Sequence, residues 1–240
     1  MSYKEVKGNI FNTNAMAVVN TVNCVGAMGK GIALDFKLRY PEMLREYQKT
    51  CFKHLLKPGQ ILPYKKSNPI ILNFAIKDDW KDPSKIEWVE ETLQKFVSNY
   101  KQLGISSVAF PWMGAMNGGI PIETIKYLTR KYLSELEDID IEIYEFDPDV
   151  PCKLYVALKE IVSSSILSIS ELESYSGIKS RYWIKILDAV NDSRTKSLNN
   201  LCNYMIDGKR IIGKTNIERL FIFLTQYDKG SISVSGNIFE

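Results

Sequence analysis

Histidine and closely spaced cysteine are nearly absent from this chain, which limits the metal sites that it can form. The sequence contains one histidine, His54, and four widely separated cysteines without a Cys-x-x-Cys pair. Structural zinc sites need about four clustered cysteine or histidine ligands. The sequence therefore predicts no metal site and four reduced thiols, most of them packed in the core: Cys24, Cys51, Cys152 and Cys202.

Long apolar stretches are absent as well. No run of about 18 apolar residues occurs, so the sequence predicts no transmembrane helix. The opening residues, MSYKEVKGNIF, lack the apolar segment of a secretory signal, which favours a cytoplasmic location. With 240 residues, 45% of them apolar and 25% charged, the chain has the size and composition of a globular domain with a smaller second part.

Most of the chain has no excess of either positive or negative charge. Residues 1–152 contain 19 Lys/Arg and 19 Asp/Glu, whereas residues 153–240 contain 12 and 9. The C-terminal part therefore has a mild basic bias, which permits a nucleic-acid contact without requiring one.

Strand and helix patterns alternate through the first 146 residues. The predicted strands are 15–23, 59–64, 69–76, 106–113 and 140–146, and the predicted helices are 30–40, 41–51, 83–104 and 121–136. This order predicts an α/β domain with helices on both faces of a parallel or mixed sheet. Ligands of such sheets bind at the carboxyl ends of the strands, so the candidate loops are 23–31, 77–84 and 111–120.

The first of these loops is rich in glycine and leads into a helix. Gly26, Gly29 and Gly31 have the spacing Gly-x-x-Gly-x-Gly, which differs from the dinucleotide-binding fingerprint. It also differs from the Walker pattern, because Gly31 stands where Ser or Thr would bind magnesium. Glycine lets the backbone approach an anion, and a helix start offers free N–H groups. A phosphate-binding turn and an ordinary tight helix entry both remain open on this loop alone.

A second glycine loop, PWMGAMNGGIP at 111–121, also follows a predicted strand and precedes a helix. Two such loops at neighbouring strand ends would contact a diphosphate from both sides. The pair therefore favours phosphate binding over two unrelated turns.

Three segments together resemble one family. They are VNTVNCVGAMGKGIA, NFAIKDDWKDPSKIEWVEETL and FPWMGAMNGGI. The sequence over about residues 1–147 is similar to the macrodomains, in the branch of the DarG antitoxins and terminal ADP-ribose glycohydrolases. The resemblance implies a three-layer α/β/α fold with a mixed sheet and ADP-ribose as the ligand. It also implies removal of ADP-ribose from protein carboxylates or DNA bases. We accordingly predict a macrodomain over 1–150 and a small, mainly helical domain over 151–240.

The resemblance also implies which residues contact ADP-ribose. It places Asn9 and Ile10 beside the adenine and Asn23 beside the distal ribose. The remaining implied ligand residues lie in the two glycine loops: Met28, Gly29, Lys30, Gly31, Ile32, Pro111, Met113, Gly114, Ala115, Met116, Asn117, Gly118 and Gly119.

Lys77 is the strongest candidate for chemistry, because it follows the strand 69–76 beside the glycine loops. Ring-opened ribose is an aldehyde, and a neutral amine forms a Schiff base with it. The resemblance places the catalytic lysine at Lys77, with Asn23 as the second catalytic residue. From the residues alone, a surface lysine and a turn asparagine remain open as alternatives.

Two positions depart from the family pattern. Members of the human type have an aspartate in the second loop, and Gly118 stands at that position here. Proton transfer would then involve Asp78, Asp79, water or the substrate. Asn9 stands where the family has an aspartate that contacts the adenine amino group, and its amide oxygen can still accept that hydrogen bond.

The C-terminal part follows a linker at 147–152. Helices are predicted over 151–165, 197–208 and 215–228, and a helix-turn-helix over 168–192. Ser170 is the predicted cap of its first helix, Gly177 marks the turn, and Ser180 lies near the second start. The candidate recognition helix contains Lys179, Arg181, Tyr182 and Lys185. A nucleic-acid-binding module, a helical interaction domain and an extension packed on the macrodomain are the alternatives.

These observations predict an ADP-ribosyl glycohydrolase with Lys77 as the nucleophile and with neither metal nor cofactor. Two alternatives stay open: a non-catalytic ADP-ribose reader, and an antitoxin whose C-terminal domain also sequesters a DNA ADP-ribosyltransferase. The expected partners are ADP-ribosylated protein or DNA, such a transferase, and nucleic acid at the C-terminal domain, with no membrane contact.

Overall fold

The computed structural model describes residues 2–228 and residue 230. Contacts within the chain divide it into two compact units, Met1–Phe146 and Asp147–Glu240. Among the described residues, no helix has both the length and the apolar character that crossing a bilayer requires. The two units are described separately below.

The first unit is a six-stranded sheet with helices on both faces. The strands are β1 (Tyr3–Gly8), β2 (Ala17–Val22), β3 (Ile61–Tyr64), β4 (Ile70–Ala75), β5 (Ser107–Pro111) and β6 (Asp140–Phe146). The helices are α1 (Gly31–Arg39), α2 (Pro41–Phe52), α3 (Ile86–Asn99) and α4 (Ile122–Leu133), and a 3₁₀ helix spans Ile10–Asn12. The strand order is β1-β6-β5-β2-β4-β3, with only the β3–β4 pair antiparallel. The predicted mixed sheet is therefore confirmed.

Side chains of the central strands alternate between two hydrophobic cores, one on each face of the sheet. On β2, Ala17 and Val19 lie in one core, and Val18 and Val22 lie in the other. The first core includes side chains of α3 and α4, and the second includes side chains of α1 and α2. A strand buried on both faces is apolar at nearly every position, which is the pattern seen in the sequence. This arrangement confirms the three-layer α/β/α fold.

Two buried asparagines lie opposite each other on β2 and β4. Asn20 is the register partner of Asn73. Nδ2 of Asn20 donates to Oδ1 of Asn73 at 2.8 Å, and Nδ2 of Asn73 donates to the carbonyl of Leu62 on β3 at 3.2 Å. Side-chain hydrogen bonds therefore cross three neighbouring strands inside the core.

Strand β1 was not predicted from the sequence. Its residues YKEVKG are mostly exposed or half-buried, and it pairs with β6 only, at the edge of the sheet. Edge strands are commonly protected by charged side chains, which weaken the apolar pattern. Here Glu5 forms an ion pair with Arg130 and Lys4 with Glu142, at 2.8 Å and 2.9 Å.

The second unit is mainly helical. It contains α5 (Lys153–Ser164), α6 (Ile169–Ser176), α7 (Ser180–Asn191), α8 (Leu198–Cys202) and α9 (Lys214–Asp228), with a two-stranded hairpin of β7 (Met205–Ile206) and β8 (Lys209–Arg210). Helices α6 and α7 form the predicted helix-turn-helix. None of the four cysteines, all of which lie in the part of the chain that the structure describes, forms a disulfide, and Cys24, Cys51 and Cys152 are buried.

Two details of the C-terminal prediction were wrong. The helix predicted over 197–208 ends at Cys202, because Asp207 and Gly208 adopt positive φ angles of 50° and 71° and form a hairpin turn. The cap of α6 is Ser168 rather than Ser170. Ser168 Oγ accepts from the Glu171 amide at 3.3 Å, and the Glu171 carboxylate accepts from the Ser168 amide at 2.8 Å. This reciprocal pair begins the helix earlier than a single serine would.

Candidate active site

Three loops meet at one edge of the first unit, as the sequence predicted. They follow β2, β4 and β5, which are adjacent parallel strands. The carboxyl ends of parallel strands lie together, so their loops form one crevice. The amide of Cys24 in the first loop donates to the carbonyl of Asp78 in the second at 2.9 Å.

Asn23 organises the loop after β2. Its Oδ1 accepts from the amides of Val25 and Ala27 at 3.1 and 3.2 Å, and its Nδ2 donates to the Ala27 carbonyl at 2.6 Å. The Tyr47 hydroxyl lies 2.7 Å from the Asn23 carbonyl and 3.0 Å from its Oδ1. These bonds use one of the two amide hydrogens of Asn23 and hold its side chain inside the loop.

Tyr47 was not identified from the sequence as a site residue. It lies on α2 at a position that periodicity assigns only to the core, and it is fully buried. Burial raises the pKa of Tyr47 well above its ordinary value, so the hydroxyl remains protonated and can donate to Asn23. No local sequence signal reveals this contact, because residues 23 and 47 lie on different elements.

Cys24 follows Asn23 but is not a nucleophile. Burial, together with the nearby carboxylate of Asp78, raises the pKa of Cys24 to about 12. The reactive form of cysteine is the thiolate, so a thiol of this pKa is inert near neutral pH.

The start of α1 is suited to bind an anion. Lys30 immediately precedes the helix, and the first turn contains no acidic residue. First-turn amides of a helix have no intrahelical acceptor, and the helix dipole is positive at this end. Gly31, the first helical residue, has a positive φ of 56°. The loop therefore presents main-chain donors at the crevice, which is the property that phosphate binding requires.

The second glycine loop is tightly folded around Gly118. A Cβ built on Gly118 would lie 2.5 Å from the Gly114 Cα and closer still to its carbonyl oxygen. The Ile120 amide donates to that same carbonyl at 3.1 Å, and the Gly118 carbonyl accepts from the Ser84 amide at 2.9 Å. Position 118, where the family resemblance implies an aspartate in human-type members, therefore has no room for a side chain in this loop.

The two glycine loops approach each other closely. A Cβ built on Gly31 would lie 2.6 Å from Nδ2 of Asn117. The first turn of α1 and the tip of the second loop thus border the same space. This contact places the predicted pair of phosphate-binding loops side by side.

Lys77 bridges two of the loops. Its Nζ donates to the carbonyl of Asp82 at 2.7 Å and to that of Asn117 at 2.8 Å. These two hydrogen bonds hold the amine between the loop after β4 and the loop after β5.

The remaining predicted site residues differ in what they can offer a ligand. Asn9 caps the 3₁₀ helix, since its Oδ1 accepts from the Phe11 amide at 3.1 Å. The buried residues among them are Ile10, Met28 and Met113. The exposed residues are Gly29, Lys30, Gly31, Met116, Asn117 and Gly119. The half-buried positions are Ile32, Pro111, Gly114 and Ala115.

Comparisons with known proteins agree with this geometry. The family described as Macro domain matches residues 19–128. A protein of Thermus aquaticus named DNA ADP-ribosyl glycohydrolase is 39% identical over 145 residues, which are 58% of this chain and 40% of that protein. The solved macrodomain of Thermus aquaticus DarG has a TM-score of 0.57 and 38% identity, covering 60% of this chain and 97% of that one.

A second relative comes from Thermosipho africanus. It is named a DNA ADP-ribosyl transferase-DNA ADP-ribosyl glycohydrolase fusion protein, and it is 32% identical over 158 residues, 58% of this chain and 40% of its own length. The structure of Thermosipho africanus DarTG in complex with ADP-ribose has a TM-score of 0.54 and 31% identity, covering 58% of this chain and 40% of that one. This chain thus spans about two fifths of these curated relatives. The fold, the paired loops and the nearly complete match to the DarG macrodomain together mean that the chain belongs to the macrodomain family.

Proposed function

We propose that the first unit removes ADP-ribose from modified DNA, with Lys77 as the nucleophile. The observation on which this depends is the position of the Lys77 amine, which donates to carbonyls of two different loops at the crevice. The names of the relatives support the substrate: DNA ADP-ribosyl glycohydrolase for one and a complex with ADP-ribose for the other. An ADP-ribosylated protein carboxylate is the alternative acceptor.

The proposed ligand position follows from the two loops. The diphosphate contacts the first-turn amides of α1 on one side and the loop 111–120 on the other. The distal ribose then extends towards Lys77 and Asn23, and the adenine towards Asn9 and Ile10. The proposed hydrogen bonds from main-chain amides contact the diphosphate and not the nucleobase. They are therefore compatible with any nucleobase joined to the distal ribose.

The proposed reaction proceeds in two steps. In the first step, Nζ of Lys77 attacks C1″ of the distal ribose as the bond from C1″ to the DNA base breaks, and the proton lost from the amine is balanced by the proton that the base takes up as it leaves. In the second step, the C1″–O4″ bond of this glycosylamine opens, with its N–H proton passing to O4″, and an imine forms. Water then adds to C1″, the bond from Nζ to C1″ breaks, and the aldehyde closes again to ADP-ribose as the free amine is released. The sum is hydrolysis, so the proposal requires neither metal nor redox cofactor.

The proton for the leaving base requires a donor other than residue 118, where no side chain fits. Asp78 and Asp79 are the nearest acidic residues in sequence to Lys77. The Asp79 carboxylate accepts from the Lys81 amide at 3.0 Å, so it is engaged in a hydrogen bond within its own loop. The Asp78 carbonyl accepts from the first loop, next to Asn23. We therefore assign proton transfer to Asp78, directly or through water.

Replacement of Lys77 tests the proposal. In K77A, we expect release of ADP-ribose from an ADP-ribosylated oligonucleotide to fall at least about 100-fold, because no other amine replaces the nucleophile. Isothermal titration should show that K77A still binds ADP-ribose, since the two glycine loops are unchanged.

The matched control is K81A, which removes an exposed lysine from the same loop. Its turnover should stay within about twofold of the unchanged protein. Full activity of K77A would contradict the covalent role. Binding without turnover in every variant, including the unchanged chain, would identify a reader of ADP-ribose.

We also infer a DNA ADP-ribosyltransferase as a partner, in the cytoplasm where its DNA substrate lies. The fusion of both activities in the name of the Thermosipho relative supports this. Cells that express such a transferase should survive when the full chain is co-expressed. If K77A still protects them, the chain sequesters the transferase; if K77A fails to protect, hydrolysis alone accounts for the protection.

A further inference from the structure

The second unit contains a helix-turn-helix of defined geometry. Helix α6 has 8 residues, the connection consists of Gly177, Ile178 and Lys179, and α7 has 12 residues. Gly177 has a positive φ of 68°, and its amide donates to the Glu173 carbonyl at 2.8 Å. In DNA-binding proteins with this motif, the second helix enters the major groove and presents its exposed N-terminal residues to the bases.

A buried serine holds the two helices together. The Ser176 hydroxyl accepts from Nε1 of Trp183 at 2.9 Å and from the Ile178 amide at 3.0 Å, and it donates to the Leu172 carbonyl at 2.5 Å. Leu172, Ile178 and Trp183 are all buried. A rigid angle between the helices is what a groove-binding helix needs, because its side chains must reach base edges in a fixed register.

Helix α9 packs behind the motif. Nη1 of Arg219 donates to the Gly177 carbonyl at 2.8 Å, and the rings of Trp183 and Phe223 meet edge to face at 5.7 Å. The side of α7 that faces α6 and α9 is therefore buried. Its other side presents Arg181, Ile184, Lys185 and Asp188 to solvent.

The exposed side of α7 has a small excess of positive charge, because Arg181 and Lys185 share it with one carboxylate, Asp188. Between Gly177 and Lys214 the sequence contains eight Lys/Arg and three Asp/Glu. The charge of Lys179 is offset by Glu173 at 2.9 Å. Across residues 2–228, no acidic side chain forms an ion pair with Arg181 or Lys185. These two cations are therefore available to phosphates.

We propose that α7 binds duplex DNA in the major groove, with Arg181 and Lys185 contacting phosphates or guanine and Ile184 facing the bases. Ile184 is 49% exposed and lies between the two cations, where an apolar side chain can contact thymine methyl groups. A helix that pairs with another protein helix would present a continuous apolar stripe here. The charged face favours nucleic acid, and the rigid helix favours a duplex over a single strand.

Fluorescence anisotropy of a fluorescein-labelled 20-base-pair duplex tests this proposal with the full chain. We expect binding that weakens as NaCl rises from 50 to 200 mM, because binding releases cations from the phosphates and this release is less favourable at higher salt. The double variant R181A/K185A should bind at least about 10-fold more weakly, and the slope of log K against log salt should become shallower by about 2.

The matched control is K153A/K159A, which removes two exposed lysines from α5 and changes the net charge equally. It should bind within about twofold of the unchanged chain. Equal weakening by both double variants, tighter binding of a single-stranded RNA of the same sequence, or the absence of duplex binding at 50 mM NaCl would overturn the proposal.

Two further variants complete the test. I184E places a negative charge at the centre of the exposed side of α7 without touching the core, and it should abolish duplex binding while thermal unfolding is unchanged. K77A should bind the duplex normally, because the inference concerns the second unit alone. Loss of duplex binding and loss of glycohydrolase activity are thereby separated.

Discussion

At the scale of single residues, the chemistry depends on two main-chain carbonyls. The acceptors of Lys77 Nζ are the carbonyls of Asp82 and Asn117, which belong to different loops. A shift of either loop would therefore turn the amine away from the proposed position of the ribose. Asn117 also borders Gly31. Asn117 thus contacts both the proposed nucleophile and the start of the helix that we propose binds the diphosphate.

Gly118 gives a stability prediction at the same scale. A side chain at 118 would meet backbone atoms of Gly114, which cannot move without unfolding the turn. We expect G118A to lower the free energy of unfolding by about 1 to 3 kcal/mol. Turnover should fall as well, since the neighbouring Asn117 carbonyl orients Lys77. G118D should behave in the same way rather than restore an acid.

The matched control is G29A, in the other glycine loop. A Cβ at Gly29 has no heavy atom within 4 Å, so this substitution should leave urea-induced unfolding nearly unchanged. Equal stability of G118A and G29A would show that the second loop is looser than its contacts indicate.

At the scale of secondary-structure elements, Glu173 ties the start of α7 to α6. Its carboxylate accepts from the Ser180 hydroxyl and amide at 2.5 and 2.7 Å and from Nζ of Lys179 at 2.9 Å. These hydrogen bonds, led by that from the Ser180 hydroxyl, lower the pKa of Glu173 from 4.5 to about 2. The ionised form is thus favoured in the folded helix-turn-helix.

This shift predicts a pH dependence of stability. A carboxyl whose pKa is lower in the folded state stabilises the fold above its unfolded pKa, and the contribution disappears as pH falls through the folded value. For Glu173 the loss should occur between about pH 4.5 and pH 2. E173Q should therefore lower the midpoint of thermal unfolding of the second unit at pH 7, and the difference should vanish near pH 2.

The indole N–H resonance of Trp183 reports unfolding of the second unit alone, since this side chain is buried between α6, α7 and α9. E160Q, at an exposed carboxylate on α5, is the control and should show no such convergence. A difference between E173Q and the unchanged chain that is the same at pH 3 and pH 7 would contradict the proposed role of Glu173.

Element prediction from sequence succeeded where local periodicity determines structure. The apolar strands β2 and β4 and the long helix α3 have clear patterns, and they form as predicted. Strand β1 was missed because its stability comes from pairing with β6, more than a hundred residues away, and from ion pairs rather than from an apolar face. The hairpin after α8 was not predicted, because the residues before it were interpreted as a helix and the Asp207–Gly208 turn signal was given less weight.

At the scale of the whole molecule, the sequence indicated the loops but not their contacts. Glycine spacing and strand order predicted which loops share an edge of the sheet. The bond from Lys77 to the Asn117 carbonyl and the contact of Tyr47 with Asn23 depend on tertiary packing, which no spacing encodes. The family resemblance supplied the residue roles, which stay predictions until turnover is measured.

If both proposals hold, one chain joins a unit that binds DNA to a unit that acts on modified DNA. Covalent linkage converts the second encounter into an intramolecular one and raises the local concentration of substrate. Removing the charges of Arg181 and Lys185 would then raise KM for a modified duplex while kcat stays unchanged.

The pair Asn20 and Asn73 in the sheet has a consequence for the alignment of the proposed reacting groups. Asn23 lies three positions beyond Asn20, and Lys77 lies four positions beyond Asn73. Sliding one strand past the other by two residues would displace these side chains by about 6.6 Å, further than a lysine bond to the ribose can tolerate. It would also leave buried amides unsatisfied, which is strongly unfavourable. The hydrogen bond between Asn20 and Asn73 thus fixes the register of β2 and β4, and with it the distance between Asn23 and Lys77 at the ends of these strands.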